Sequence, residues 1–282
     1  MHSPAASPSV SSPAAPTQRP HRLQVSDLSH AFVSADDDII PIFERLDFSV
    51  GSGEIVSIVG RSGAGKSTLF NLISGLLTPQ DGRISVGRRA DGSDGRIAYM
   101  LQKDLLLPWR TILQNAVLGI ELFRKVRRDD LERARAMLAR YGLASVADAY
   151  PHSLSGGMRQ RVALTRTLLV EPTLVLLDEP FSALDYETRL ALEDDVMALR
   201  EHNGTSVVLV THDIEEAIAM SDRVILLGGR PARIEDDINV RLTTNGPRTA
   251  VSAREAPEFR TLHSRVWNGL RHHTIQHSGA SA

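Results

Sequence analysis

Residues 54–76 read EIVSIVGRSGAGKSTLFNLISGL. Glu54 to Val59 form a short apolar run of strand length, and a helix-like stretch follows from Lys66 to Leu76. Between them Gly60, Arg61, Ser62, Gly63, Ala64, Gly65, Lys66, Ser67 and Thr68 fit the G-x-x-x-x-G-K-[ST] pattern, in the strand-to-helix position where a phosphate-cradling loop must lie. Glycines let backbone N–H groups turn inward around an anion where side chains would obstruct them. The helix that starts near Lys66 points its positive end at the same spot. Lys66 is placed to reach the β and γ phosphates of a nucleotide, and the Ser67 hydroxyl to ligate Mg²⁺.

Outward from this loop the chain alternates strands and helices. Leu174 to Leu177, Val207 to Val210 and Val224 to Leu227 are continuous apolar runs, as expected of strands buried on both faces. In Thr188 to His202, Leu192, Val196 and Leu199 fall on one helical face, and Asn203-Gly204 supplies the stop. The stretch from about Lys103 to Leu154 has no convincing strand. There Asp129 and Asp130 open a helix whose Leu131, Ala134, Leu138 and Tyr141 share a face, and Gly142 closes it. The pattern predicts an α/β core with a mostly parallel sheet and a helical insertion.

The composition agrees. Of 282 residues 42% are hydrophobic and 23% charged, ordinary for a globular protein of one large domain. The 32 basic and 34 acidic side chains nearly cancel, which weighs against a dedicated nucleic-acid binder. The chain has no cysteine, so disulfides, thiolate metal sites and cysteine nucleophiles are excluded. No apolar run approaches the roughly 20 residues that span a bilayer, so work at a membrane requires a partner that does. Residues 1–20 are almost entirely Ser, Pro and Ala, without the apolar centre of a secretory signal, and read as a disordered tail. The last dozen residues, with His272, His273 and His277, lack a pattern and read as solvated.

Two further stretches carry chemistry. In Leu174 to Glu179 a buried strand ends in Asp178 and Glu179, at the sheet edge where open α/β folds bind ligands. Asp178 is placed to hold Mg²⁺ through water, and Glu179 to polarise an attacking water. In Leu154 to Arg161, Ser155, Gly156 and Gly157 precede a helix and make a second helix N-terminus able to receive an anion. One chain needs only one phosphate loop per nucleotide. A second anion-binding turn makes sense if it closes on nucleotide held by another copy.

Taken in order, Gly60 to Thr68, Gln102, Leu154 to Arg161, Leu174 to Glu179, Ser182 to Asp185 and Thr211-His212 resemble the Walker A, Q-loop, signature, Walker B, D-loop and H-switch motifs of ABC-transporter ATPase subunits. The likeness covers roughly residues 22–235. It implies a P-loop NTPase fold with an N-terminal antiparallel β subdomain and an inserted helical subdomain at about 103–165, within an ATPase domain of residues 21–255. A C-terminal helix and tail would occupy 256–282. It further implies that Gln102 contacts Mg²⁺ or the attacking water, that His212 contacts the γ-phosphate, and that Asp185 orders a dimer interface. Ser155 and Gly157 would touch the γ-phosphate held by the opposite chain. Phe32 is the aromatic expected to stack on adenine, although the family more often has tyrosine there.

Leu105 to Gly119 and the tail pieces Gly229 to Ile234, Pro257 to Leu262 and Val266-Trp267 resemble importers of nitrate, sulfonate, taurine and related anions. The stretch Arg241 to Pro247 departs from that pattern. The resemblance implies ATP and Mg²⁺ as cofactors and a second ATPase subunit as partner. A membrane-spanning permease, a solute-binding protein acting indirectly, and a place at the cytoplasmic face of the membrane follow as well. A soluble ABC mechanoenzyme acting on nucleic acid or ribosomes is the competing class, and the near-neutral charge and single cassette count against it. Trp109 fits either a permease contact or packing on its own subdomain. Arg124, Lys125, Arg127 and Arg128 form a basic cluster that reads as a solvated helix end or a surface for lipid or permease, and Asp36 to Asp38 read as a solvated loop.

Overall fold

Strands β3 (Ile55–Gly60), β6 (Leu174–Asp178), β7 (Ser206–Thr211) and β8 (Arg223–Gly228), flanked by β5 (Ile97–Met100) and β9 (Arg233–Asn239), form a six-stranded sheet ordered β5-β6-β7-β3-β8-β9. Every residue of β3, β6 and β7 is buried, the outcome that continuous apolar runs require when helices cover both faces. All pairings are parallel except that of β9 (Arg233–Asn239) with β8. The structure is a computed structural model that describes residues 21–88 and 95–276. The Ser/Pro/Ala-rich segment 1–20 and His277 lie outside the described residues, as do the side chains of His272 and His273.

A second sheet, ordered β2-β1-β4, is antiparallel: β1 (His21–Val33), β2 (Ile39–Gly51) and β4 (Asp81–Val86). Leu23, Val25, Leu28, Phe43, Leu46 and Phe48 are buried and join one cluster with Ile58, Phe70 and Leu176. That cluster fastens the antiparallel sheet to the phosphate-loop face of the central one. The turn between β1 and β2 contains the three aspartates, and the Ser34 hydroxyl accepts from the Asp36 and Asp38 N–H groups at 3.2 and 3.1 Å.

Between β5 (Ile97–Met100) and β6 the chain is helical: α2 (Ile112–Glu121), α3 (Arg128–Arg140) and α4 (Gly156–Leu168). Helix α3 begins one residue before the aspartates and buries the expected stripe except at one position, where Asp130 replaces Leu131. Asp130, Ala134, Leu138 and Tyr141 face inward, whereas Leu131 is 37% exposed. Asp130 tolerates burial because Arg124 donates to both its oxygens at 2.6 and 2.8 Å and the Arg127 N–H adds a third bond. The basic cluster is thereby partly spent inside the subdomain, and Arg128 pairs with Glu132 one turn on.

The remaining helices flank the sheet: α1 (Lys66–Ile73), α5 (Tyr186–Asn203), α6 (Ile214–Met220), α7 (Ala250–Glu255) and α8 (Phe259–Gln276), with α7 lying on α5, α6 and α8. Helix α1 stops at Ile73, three residues short of the sequence reading, because Ser74 caps it and Gly75 turns at φ 79°. Helix α8 continues through Gln276, into a stretch read from the sequence as patternless.

Candidate nucleotide site

The phosphate loop runs from Gly60 to Thr68, with Gly65 as the cap of α1 at φ 81°. A Cβ there would meet Ile42 and Phe43 at 2.7 and 2.8 Å, so both backbone angle and space require glycine. The Lys66 ammonium folds back along the loop, donating to the Gly60 and Arg61 carbonyls at 2.7 and 3.0 Å. Burial pulls its pKa below the ordinary lysine value, and the Glu179 and Asp178 carboxylates oppose that pull.

Strand β6 delivers the two carboxylates side by side. Asp178 is buried and accepts from the Ser67 hydroxyl at 2.9 Å. Desolvation raises its pKa, while the bonds from Ser67 and Tyr99 act the other way. Glu179 sits at φ 50°, a left-handed conformation uncommon outside glycine. Its N–H donates to the Val210 carbonyl at 2.8 Å, and its own carbonyl accepts from Gln160 at 3.1 Å. The turn so held aims the side chain across the sheet edge. There the Gln102 amide donates to Oε2 at 2.8 Å, and His212 Nδ1 lies 3.3 Å from Oε1.

These groups surround one cavity of about 530 Å³, lined by the phosphate loop, Gln102, Asp178, Glu179 and His212. A larger cavity of about 690 Å³ flanks the other side of the loop, between Arg61, Arg230 and Leu270. The paired carboxylates face the smaller one, where an anion meets both the helix end and the lysine.

Not every residue singled out from the sequence comes to this place. Ser155, Gly156 and Gly157 start α4, where the Ser155 hydroxyl accepts from Met158 N–H at 3.3 Å, and none of the three lines the cavity. Gly157 packs so closely that a Cβ would lie 2.9 Å from the Ala183 carbonyl. Asp185 caps α5 by accepting from Thr188 N–H at 2.9 Å. Phe32 stands in β1, 40% exposed and edge-to-face with His30 at 5.1 Å, outside the lining of the cavity.

Three contributors had no role in the sequence reading. Gln160 joins the Glu179 carbonyl to the Ala183 N–H, which its own side-chain oxygen accepts at 3.2 Å. Tyr99 reaches Asp178 from β5, a strand too short to announce itself. Asn115 is fully buried and clamps the preceding loop through Leu107, Arg110 and Thr111. That clamp holds Trp109 out in solvent, so the tryptophan does not pack on its own subdomain.

The family model described as "ABC transporter" matches residues 43–182. An aliphatic sulfonates import ATP-binding protein of Agrobacterium fabrum is 44% identical over 226 residues, covering 79% of this chain and 85% of the relative. The chain belongs to the ABC transporter ATP-binding family. The nitrate import ATP-binding protein of Synechocystis is 35% identical over 92% of this ABC subunit and 99% of its own length. A dimeric ATP-binding cassette solved with ADP and Pi aligns at TM-score 0.69 and 30% identity, covering 78% of this chain and 99% of that one. The ABC subunit is thus an ATP hydrolase built on the P-loop cassette fold.

Proposed function

We propose that this subunit pairs with a second ATPase subunit beneath a membrane-spanning permease and drives import of a small anion such as nitrate, a sulfonate or taurine. The observation that carries the reading is the division of the site. Lys66, Glu179 and His212 converge on one cavity, while the Ser155–Gly157 helix end opens elsewhere. A nucleotide bridging the two chains uses both. Binding energy available only in the closed pair supplies the conformational work, and hydrolysis removes the bridge.

Within each cavity the phosphate loop would cradle the phosphates and Lys66 would neutralise them. Glu179, held between Gln102 and His212, would take a proton from the attacking water. His212 would contact the γ-phosphate, and Asp185 would order the interface between chains. Phe32 would stack on adenine. Ser67 and Asp178 offer two oxygens at hydrogen-bond distance, a donor set suited to Mg²⁺ completed by phosphate oxygens and water. Such an ion would neutralise charge on the phosphates, and Gln102 lies near enough to Glu179 to share its surroundings.

The import reading is supported by the sulfonate and nitrate relatives, and a permease contact by the exposed Trp109 on its clamped loop. No described helix is long and apolar enough to cross a membrane, which fits a peripheral subunit at the cytoplasmic face. We assign residues 21–255 to the ATPase domain and 103–165 to its helical subdomain. The test is ATPase activity in liposomes containing a candidate permease, compared with activity on added nucleic acid. Stimulation by the permease is expected. Stimulation by nucleic acid alone would transfer the chain to the mechanoenzyme class.

A further inference from the structure

Behind the hydrolytic groups lies a smaller cavity of about 150 Å³, walled by Glu179, His212, Arg189, Thr211, Asp213 and Glu216. Glu216 has no part in the site described above. It lies in the first turn of α6, is 4% exposed, and its Oε1 has no hydrogen-bond partner. Its carboxyl meets the Thr211 hydroxyl. That hydroxyl accepts from the Asp213 N–H at 3.0 Å, and Asp213 Oδ1 accepts in turn from the N–H groups of Glu215 and Glu216 at 2.9 and 3.2 Å. Thr211, which precedes His212, is therefore tied to the buried carboxyl, while Asp213, which follows it, is held by the backbone N–H of the same residue.

We propose that Glu216 is a positioning residue for ATP hydrolysis: through the Thr211 hydroxyl its buried side chain sets where the adjoining His212 stands over Glu179. The inference rests on Glu179 and His212 being the hydrolytic pair.

The charged groups around it explain which form acts. From α5, Glu193 and Arg189 face it; from α6 itself, Asp213; from α7, Arg254 reaches Glu193 and Glu215; Glu179 lines the same cavity. Arg189 is paired with Asp213 at 3.1 Å and Arg254 with Glu193 at 2.7 Å, so neither is committed to Glu216. Burial, then Glu193 and Asp213, push its pKa up to about 8, with Arg189 and Thr211 opposing. The neutral acid fits the pocket. As pH rises past that value, a negative charge enters beside Glu193 and Asp213 and pushes on the turn that carries His212.

The experiment measures kcat and nucleotide affinity of the full chain with Mg-ATP from pH 6 to about pH 9.5, spanning the value of about 8. Glu216→Ala should lower kcat by about 10- to 100-fold, the scale of an ångström-sized misplacement. ATP affinity should stay within about twofold, because the cavity lies away from the phosphate loop. Glu216→Gln, which mimics the neutral acid, should recover most of the lost kcat and lack the alkaline decline expected of the unaltered chain near pH 8. Superimposed pH profiles for Glu216→Gln and the unaltered chain would overturn the proposal, and this comparison stands even where Glu216→Ala unfolds. In a His212→Ala background, Glu216→Ala should cost nothing more; the same loss in both backgrounds would overturn the route through His212. Turnover unaffected by His212→Ala alone would instead overturn the hydrolytic pair.

Discussion

Arg254→Ala tests how the C-terminal helices hold the half of the fold that carries His212. Arg254 on α7 donates two bonds to Glu193 on α5, at 2.7 and 3.0 Å, and Glu193 is 0% exposed while Arg254 is 14% exposed. Removing the guanidinium strands a carboxylate in a dry pocket that already contains Glu216 and Asp213. Breaking a buried pair in this way costs about 3–5 kcal/mol. At about 2–4 °C per kcal/mol for a domain this large, the melting temperature should fall by roughly 10 °C. The sign with pH follows from linkage. Burial raises the Glu193 pKa, and loss of Arg254, which lowers it, raises it further. Between the unfolded and folded values the native state then holds the extra proton, so stability declines as pH rises through that window. The deficit of the variant should be smaller at pH 5 than at pH 8, by thermal melts followed with circular dichroism. A deficit independent of pH, or below about 1 kcal/mol, the range of an exposed pair, would refute the reasoning.

Other outcomes follow from single contacts. Lys66→Ala should weaken ATP binding by roughly 10- to 100-fold, since a charge-assisted partner worth about 1.5–3 kcal/mol is lost, and calorimetry reads the change directly. Gln160→Ala should cost about 1–3 kcal/mol of stability by leaving the Ala183 N–H without its partner and the Glu179 carbonyl with Ser182 alone, measured by urea unfolding. Phe32→Ala should weaken ATP binding while leaving inorganic phosphate binding unchanged; equal ATP affinity would remove Phe32 as the adenine platform.

The parts of this molecule legible in its sequence are those where chemistry demands contiguous residues. A backbone cradle needs Gly60, Gly63 and Gly65 in one loop, and strands buried on both faces need unbroken runs such as Leu174 to Leu177. The antiparallel sheet was legible only through family resemblance. In β1 the alternation of Leu23 and Val25 breaks at a register shift before Leu28, with Asp27 at φ 51°, so no period-two pattern survives. Strand β5 contributes four residues and no periodicity, yet places Tyr99 against Asp178. In α3 Asp130 takes the buried place read for Leu131, which no local pattern signals, because a carboxylate marks an exposed position unless a partner such as Arg124 arrives. Gln160 acts on a turn distant in sequence, and a polar residue within a helical pattern carries no local sign of that role.

The most direct measurement is light scattering of Glu179→Gln with and without Mg-ATP. The amide removes the proposed base and leaves the bonds of Gln102 and His212 something to face, so nucleotide should bind without being hydrolysed. A monomer that becomes a dimer only when Mg-ATP is added is the expected result, and it ties the Ser155–Gly157 turn of one chain to the nucleotide of the other. A chain that binds Mg-ATP tightly and stays monomeric would contradict the shared site.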